Sequence, residues 1–290
     1  CAAVTRVEVR MNAVERLGHY FDLPSEARAV GGPQNGTAAA RWRVVDGAIS
    51  FDNVALRYRD SLPLVLRDVS FEVPARAKVG ICGASGAGKS SLLAALFQTV
   101  PLAGGSIRID GDDIREVGQV ALRRSLAIIP QDAQLFLGTL AFNMDPTGTT
   151  RPEAMWQALE AVGMAEVLRN KAYELDADAD PLDLELKNNL SCGEAQLVCM
   201  ARALVRDARI IVIDEGTASV DAESDARIQH VIRTAFADRT VLTIAHRLAT
   251  LADYDRLLVM VDGEVAEYDT PAALLAAEDS IYGRLVAAQT

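Results

Sequence analysis

Apolar and polar positions follow two different periods along this 290-residue chain. Val4, Val7, Met11, Val14 and Phe21 recur at helical spacing between Arg6, Arg10, Glu15 and Arg16. That single apolar stripe predicts an amphipathic helix ending before Pro24. Such a helix either packs on the domain that follows or belongs to a neighbouring domain upstream. Residues 24–47, with GGPQNGTAAA, read as a linker. The period then changes. Ile49, Phe51, Val54, Leu56 and Tyr58 predict one strand, and residues 65–73 (VLRDVSFEV) a second. Residues 78–82 form a short apolar strand running into a glycine turn, and residues 106–110 and 126–129 are further strands. Residues 152–170 are predicted helical, whereas 171–189 carries six acidic and two basic residues without a period. Residues 209–213 and 240–244 are continuous apolar runs, as expected of strands buried on both faces of a parallel sheet. Residues 257–261 and 264–268 flank Asp262-Gly263 and predict a hairpin. Thr270-Pro271 marks a helix start, with threonine as N-cap and proline at the first helical position. Strands alternating with helices indicate an α/β architecture.

Composition narrows the class. Half of the residues are hydrophobic and 24% are charged, the balance of a globular chain, and the length suits one large domain or two small ones at roughly 150 residues each. Forty acidic residues against 29 basic ones give a net charge of −11. Nucleic acid is therefore not expected as a partner, because binding a phosphate backbone relies on clustered cations. No run reaches the roughly 18 apolar residues that a membrane span needs. Cys1, Cys82, Cys192 and Cys199 show no CxxC spacing and read as free thiols of a reducing compartment. The chain opens on Cys rather than Met, so a soluble piece of a longer protein is expected.

Candidate chemistry begins with Gly83, Ala84, Ser85, Gly86, Ala87, Gly88, Lys89 and Ser90, which fit GxxxxGK[ST] between an apolar strand and a helical run that Ser91 opens. The glycines let backbone N–H groups close around phosphates, and the helix N-terminus adds its dipole. Lys89 is placed to reach the β- and γ-phosphates of a nucleotide, and Ser90 to ligate Mg²⁺. Asp214 and Glu215 end the apolar run that begins at residue 210. Asp214 would hold the Mg²⁺ shell and Glu215 would polarise an attacking water.

Ser191, Cys192, Gly193 and Glu194 follow Leu190 and precede a helical run over 195–205. Here the chain resembles the ATP-binding cassette (ABC) ATPases, whose signature is LSGGQ at a helix start. The resemblance covers residues 49–288 with the motifs in order. Tyr58, 25 residues before Gly83, stands where the family has an aromatic that stacks on adenine. Gln131 in IIPQDAQLF matches the family's glutamine between catalytic core and helical subdomain. Asp221 in SVD matches its D-loop, and His246 in TIAHRL its switch histidine. Residues 64–73, the stretch from IIPQDAQLF to NMDP and the segment 241–271 are similar to the second nucleotide-binding domain of subfamily C exporters, the multidrug-resistance-associated proteins, and residues 4–20, with NAVERLGHY, to the tail of their last transmembrane helix.

The resemblance implies a RecA-like P-loop core with an antiparallel β-subdomain and an α-helical subdomain over about 137–208. Residues 1–23 would be the tail of a last transmembrane helix or coupling helix, 24–47 a linker and 48–290 the nucleotide-binding domain. ATP and Mg²⁺ would be the cofactors, with Ser90, Gln131 and Asp214 on the metal and Glu215, His246 and Gln131 as catalytic residues. Partners would be the first nucleotide-binding domain of the same transporter, in an ATP-sandwich dimer, and transmembrane domains contacted through Gln131, at the cytoplasmic face of a membrane. A regulatory domain with slow hydrolysis and a soluble ABC-type protein are the alternatives. Cys192, Glu194, Ala195, Ala133 and Gly216 depart from the family pattern. Glu194 suits its own helix dipole but would repel a polyphosphate bound by a partner.

Overall fold

The computed structural model describes residues 2–22, 42–130, 132–176, 180–186, 189–214, 222–245 and 247–289. Gln131, Glu215, Asp221 and His246 lie outside the described residues, as do residue 23 and residues 24–41 of the expected linker. The N-terminal stripe does form a helix, α1 (Ala2–Phe21). Among its described side chains, Met11, Val14, Leu17, Tyr20 and Phe21 are between 53 and 85% exposed, so that part of the helix is not packed on the domain.

Walking on, the chain forms β1 (Ile49–Leu56), β2 (Leu66–Val73), β3 (Lys78–Gly83), α2 (Lys89–Leu96), β4 (Leu102–Ile109), β5 (Asp112–Asp113), α3 (Gln119–Ser125) and β6 (Leu126–Ile129). Then come α4 (Leu140–Met144), α5 (Pro152–Ala161), α6 (Ala165–Leu175), α7 (Cys192–Val205), β7 (Ile210–Asp214), α8 (Ala222–Thr234) and β8 (Thr240–Ile244). The hairpin β9 (Arg256–Val261) and β10 (Glu264–Asp269) and two helices, α9 (Pro271–Ala276) and α10 (Ile281–Gln289), complete it.

Two sheets result. One is antiparallel, in the order β2-β1-β4-β5, and the other runs β10-β9-β3-β8-β7-β6 with every pair parallel except the terminal hairpin. The apolar runs are explained by burial on both faces. Ile210 and Val212 of β7 pack with the antiparallel sheet and α2, while Ile211 and Ile213 face the core that α5, α6 and α7 build. Leu242 and Val241 of β8 divide in the same way. On β1 and β2, Phe51 stands opposite Phe71 with stacked rings 4.4 Å apart, an aromatic pair worth about 1 kcal/mol beyond its buried area.

The helix expected over 152–170 is two helices. Gly163 takes φ 71° after α5, and Met164 N–H returns to Leu159 O at 2.8 Å, which ends that helix and lets α6 start in a new direction. α6 then continues to Leu175, inside the acidic stretch that shows no period. The helices of 140–205 therefore form a layer of their own against the mixed sheet, with Leu140, Leu159, Leu168 and Met200 fully buried between them.

Candidate functional site

The glycine loop leaves the carboxyl end of β3, the edge of an open α/β sheet at which ligands bind. Gly83 has φ 146°, and a Cβ there would collide with the carbonyl oxygen of Met260 on β9, so only glycine fits between loop and neighbouring strand. The loop closes on itself through Ala87 N–H to Ala84 O at 3.1 Å. Its outer wall is the hairpin turn. Asp262 and Gly263 take φ 49° and 84°, the left-handed pair that a tight two-residue hairpin demands. Gly263 N–H donates to Ala87 O at 3.1 Å and Arg67 N–H donates to Gly263 O at 2.9 Å. A Cβ on Gly263 would run into Val65 O. The hairpin was readable in the sequence, but its contact with the glycine loop was not.

Lys89 begins α2 and is only 8% exposed. Its Nζ donates to Gly83 O at 2.7 Å and to Ala84 O at 2.9 Å, which lays the ammonium along the loop. Burial pulls it below the ordinary lysine range, against the opposing pull of neighbouring Cys82 and of the carboxylate of Asp214. Ser90 is exposed next to it, and the first-turn amides of α2 have no carbonyl acceptors within their own helix. Ser90 and Asp214, far apart in sequence, line one cavity of about 580 Å³ together with Phe97, Arg123 and Ile128. Asp214 reaches it from the carboxyl end of β7, two strands from β3. Tyr58 is half exposed, and its hydroxyl shares a hydrogen bond with buried Ser91 Oγ at 3.0 Å, so its ring stands beside the start of α2. Cys82, behind the loop, is fully buried, and its thiol is pushed up to about 12 by that burial, which leaves it unreactive.

Ser191 caps α7. Its Oγ accepts Glu194 N–H at 3.2 Å, and Glu194 Oε2 accepts Ser191 N–H at 2.7 Å, the reciprocal pair of a capping box. The helix thus starts at Cys192, with Glu194 in its first turn. Cys192 is exposed and Gly193 buried. Lys171 of α6 completes the group, with Nζ 3.3 Å from Glu194 Oε2 and 2.9 Å from Asn189 O. Burial works to raise the Glu194 carboxyl, but the Ser191 amide and the Lys171 ammonium outweigh it and hold it below the ordinary carboxylate range. The hydrogen bonds of Ser191 and Glu194 run within this cap and to Lys171, not to the glycine loop.

A lowered carboxyl contributes stability that is fully present above its unfolded pKa and is lost as the pH falls through its folded one. Glu194→Ala is therefore expected to cost about 1 kcal/mol at neutral pH, the size of one net hydrogen bond. The difference in melting temperature from the parent chain should close as the pH drops below about 4. A gap that stays constant as the pH falls well below that value, through the lowered range of the folded carboxyl, would contradict the capping role.

Sequence reasoning also missed Arg202 on α7. Its Nε donates to Asn143 O at 2.7 Å and its Nη1 to Gln134 O at 3.2 Å, while the guanidinium lies 5.4 Å from the Phe136 ring. Fully buried Asn143 in turn bonds the backbone of Phe136 and Thr139. The capped helix and the segment after Gln131 are thereby tied together, through contacts that have no local sequence signal.

Comparison with known proteins gives this arrangement its kinship. The sequence profile of the family described as ABC transporter matches residues 66–218. ABC transporter C family member 3 of Dictyostelium discoideum is 45% identical over 268 residues, which are 92% of this chain and 18% of that protein. ATP-binding cassette sub-family C member 3 of Homo sapiens is 46% identical over 277 residues, 96% of this chain and again 18% of the relative. Among solved structures, a bacterial Atm1-family ABC exporter with ATP bound matches with a TM-score of 0.81 at 31% identity, over 97% of this chain and 48% of that one. The chain thus spans less than a fifth of the length of these subfamily C relatives. The family match alone covers more than half of its residues, and the chain belongs to the ATP-binding ABC transporter family.

Proposed function

We propose that the chain is the ATP-binding and ATP-hydrolysing domain of a subfamily C exporter, the second of its two nucleotide-binding domains, powering efflux across a membrane from its cytoplasmic face. The observation that carries this reading is the convergence of Ser90 and Asp214 on one cavity beside a glycine loop along which Lys89 is laid. A hydroxyl and a carboxylate offer the hard oxygen ligands that Mg²⁺ takes, and with Gln131 they would hold it. Held there, the metal would supply positive charge against the negative charge developing on the phosphates.

The chain's own residues would divide the remaining work. Lys89 and the loop from Gly83 to Ser90 would hold the phosphates, and Tyr58 the adenine. Glu215, next in sequence after the end of β7, would orient and polarise the attacking water, and His246 would hold the γ-phosphate and that water. Ser191, Cys192, Gly193 and Glu194 would face ATP held by the first nucleotide-binding domain, with Asp221 also at that interface. That the cap of α7 makes no hydrogen bond to its own glycine loop suits this division. Phe136, Leu137 and Phe142, which follow Gln131, are exposed apolar side chains suited to docking transmembrane domains. Residues 48–290 would form the domain, with 137–208 its helical part. Residues 1–23 would be the tail of a transmembrane or coupling helix, on which Met11, Val14 and Phe21 are exposed, and 24–47 a linker.

Titration of the chain with ATP in the presence of Mg²⁺ tests the reading, and failure to bind would refute it. Tyr58→Ala is expected to weaken affinity about tenfold, the scale of base stacking on an aromatic ring, and Tyr58→Trp to preserve it. Equal affinities for parent and alanine variant would remove Tyr58 from the site.

A further inference from the structure

Lys171 is a cation in the wrong company. It stands on α6 within the run that contains Glu174, Asp176, Asp180, Asp183 and Glu185, yet its Nζ makes its ion pair with Glu194 of α7, at 3.3 Å. A second bond, to Asn189 O at 2.9 Å, fixes the ammonium against the backbone just before the cap. Both side chains of the pair are partly covered, 30% exposed for Lys171 and 22% for Glu194. The carboxylate that Lys171 meets is the one turned back on the Ser191 amide.

The start of α7 is the positive end of a helix dipole. On the reading that this end faces ATP held by a partner domain, each negative charge left on it opposes closure. We propose that Lys171 is the resident counter-ion of this acidic cap, a positioning residue that keeps Glu194 folded onto Ser191 and cancels its charge, so that α7 can close over a partner's nucleotide. The inference rests on that reading of residues 191–194. A partly exposed ion pair contributes little to stability by itself, so the consequence of the pair lies in the field at the helix end, not in holding the subdomain together.

Nucleotide off-rates from the partner's site, measured in the assembled transporter with fluorescent ATP, test this. Lys171→Gln removes the charge while keeping a donor for Asn189 O, and Lys171→Met serves if that variant does not fold. Freeing one unit charge at about 8 Å from the phosphates is expected to speed release roughly two- to eightfold, for effective dielectrics between water and protein surface and with the phosphate charge partly neutralised. Lys171→Arg should restore the parent rate. Glu194→Gln added to Lys171→Gln should restore it too, because glutamine still accepts the Ser191 amide but carries no charge. A double variant as fast as Lys171→Gln alone overturns the inference, since the lysine then acts without Glu194, and so does a Lys171→Gln rate equal to that of the parent. Ser191→Asp is the control for the underlying reading. It keeps an N-cap oxygen but adds a negative charge, and it should speed release strongly. If it leaves the rate unchanged, residues 191–194 do not face the partner's nucleotide and the inference falls with them. If Ser191→Asp acts and Lys171→Gln does not, only the counter-ion role is lost.

Discussion

Lys89→Ala is expected to abolish useful ATP binding. The amine is held in place by Gly83 O and Ala84 O and is nearly buried, so little ordering is needed when polyphosphate arrives. Removing one partner of a desolvated charge pair costs about 2–5 kcal/mol, or roughly thirtyfold to several-thousandfold in affinity. The folded chain should hardly suffer, because alanine also relieves the cost of keeping an ammonium in a covered position. Burial depresses this lysine in the same sense. Lys89→Arg should not rescue binding, since a planar guanidinium cannot repeat the point contact of an amine with two loop carbonyls. Calorimetric titration beside a thermal melt separates the two effects. An affinity within about threefold of the parent chain, in a variant that melts normally, would show that the lysine does not touch nucleotide.

Glu215→Gln should separate binding from chemistry. The substitution keeps shape and hydrogen-bonding capacity but loses the carboxylate. Hydrolysis in the assembled transporter should fall by at least ~10²-fold, the scale of losing a general base, with ATP affinity nearly intact. Turnover at the parent rate would mean that another group activates the water. Measurement on the isolated chain would not decide the matter, because the site as proposed is completed by the cap of a partner domain.

The elements that were plain in the sequence are those whose burial leaves a one-dimensional trace. Residues 240–244 carry the bounds of β8, because two buried faces leave a continuous apolar run, and residues 126–129 carry those of β6, where only Ile128 is exposed. The glycine loop was legible for a related reason, since phosphate binding requires particular residues at fixed local spacing. Where contacts join distant segments the trace fades. β4 begins at Leu102, ahead of the expected 106, because Gly104 and Gly105 hide its start. Gly163 looks like one weak helix residue among many until its positive φ splits 152–170 in two. Nothing near Lys171 announces Glu194, and an expectation of bare repulsion at Glu194 followed from not seeing the lysine. The cap itself could have been anticipated, as serine followed three residues later by glutamate is a capping box. Gln131, Glu215, Asp221 and His246 lie outside the described residues, so their roles rest on sequence resemblance.

The place of Gly263 bears on how such a chain is made. Its amide and carbonyl join Ala87 in the glycine loop to Arg67 at the start of β2, although it is synthesised close to the end of the domain. A nascent chain that has just emitted its phosphate-binding residues has every glycine of the motif and no wall to set them against. Joining ends so far apart carries the loop-closure entropy of long-range contacts, which is met late in folding. The wall of the glycine loop is therefore set in place only after residue 263 has left the ribosome. Ligand cannot template the early stages of folding, and any chain that terminates before residue 262 is expected to carry an intact motif that captures nothing.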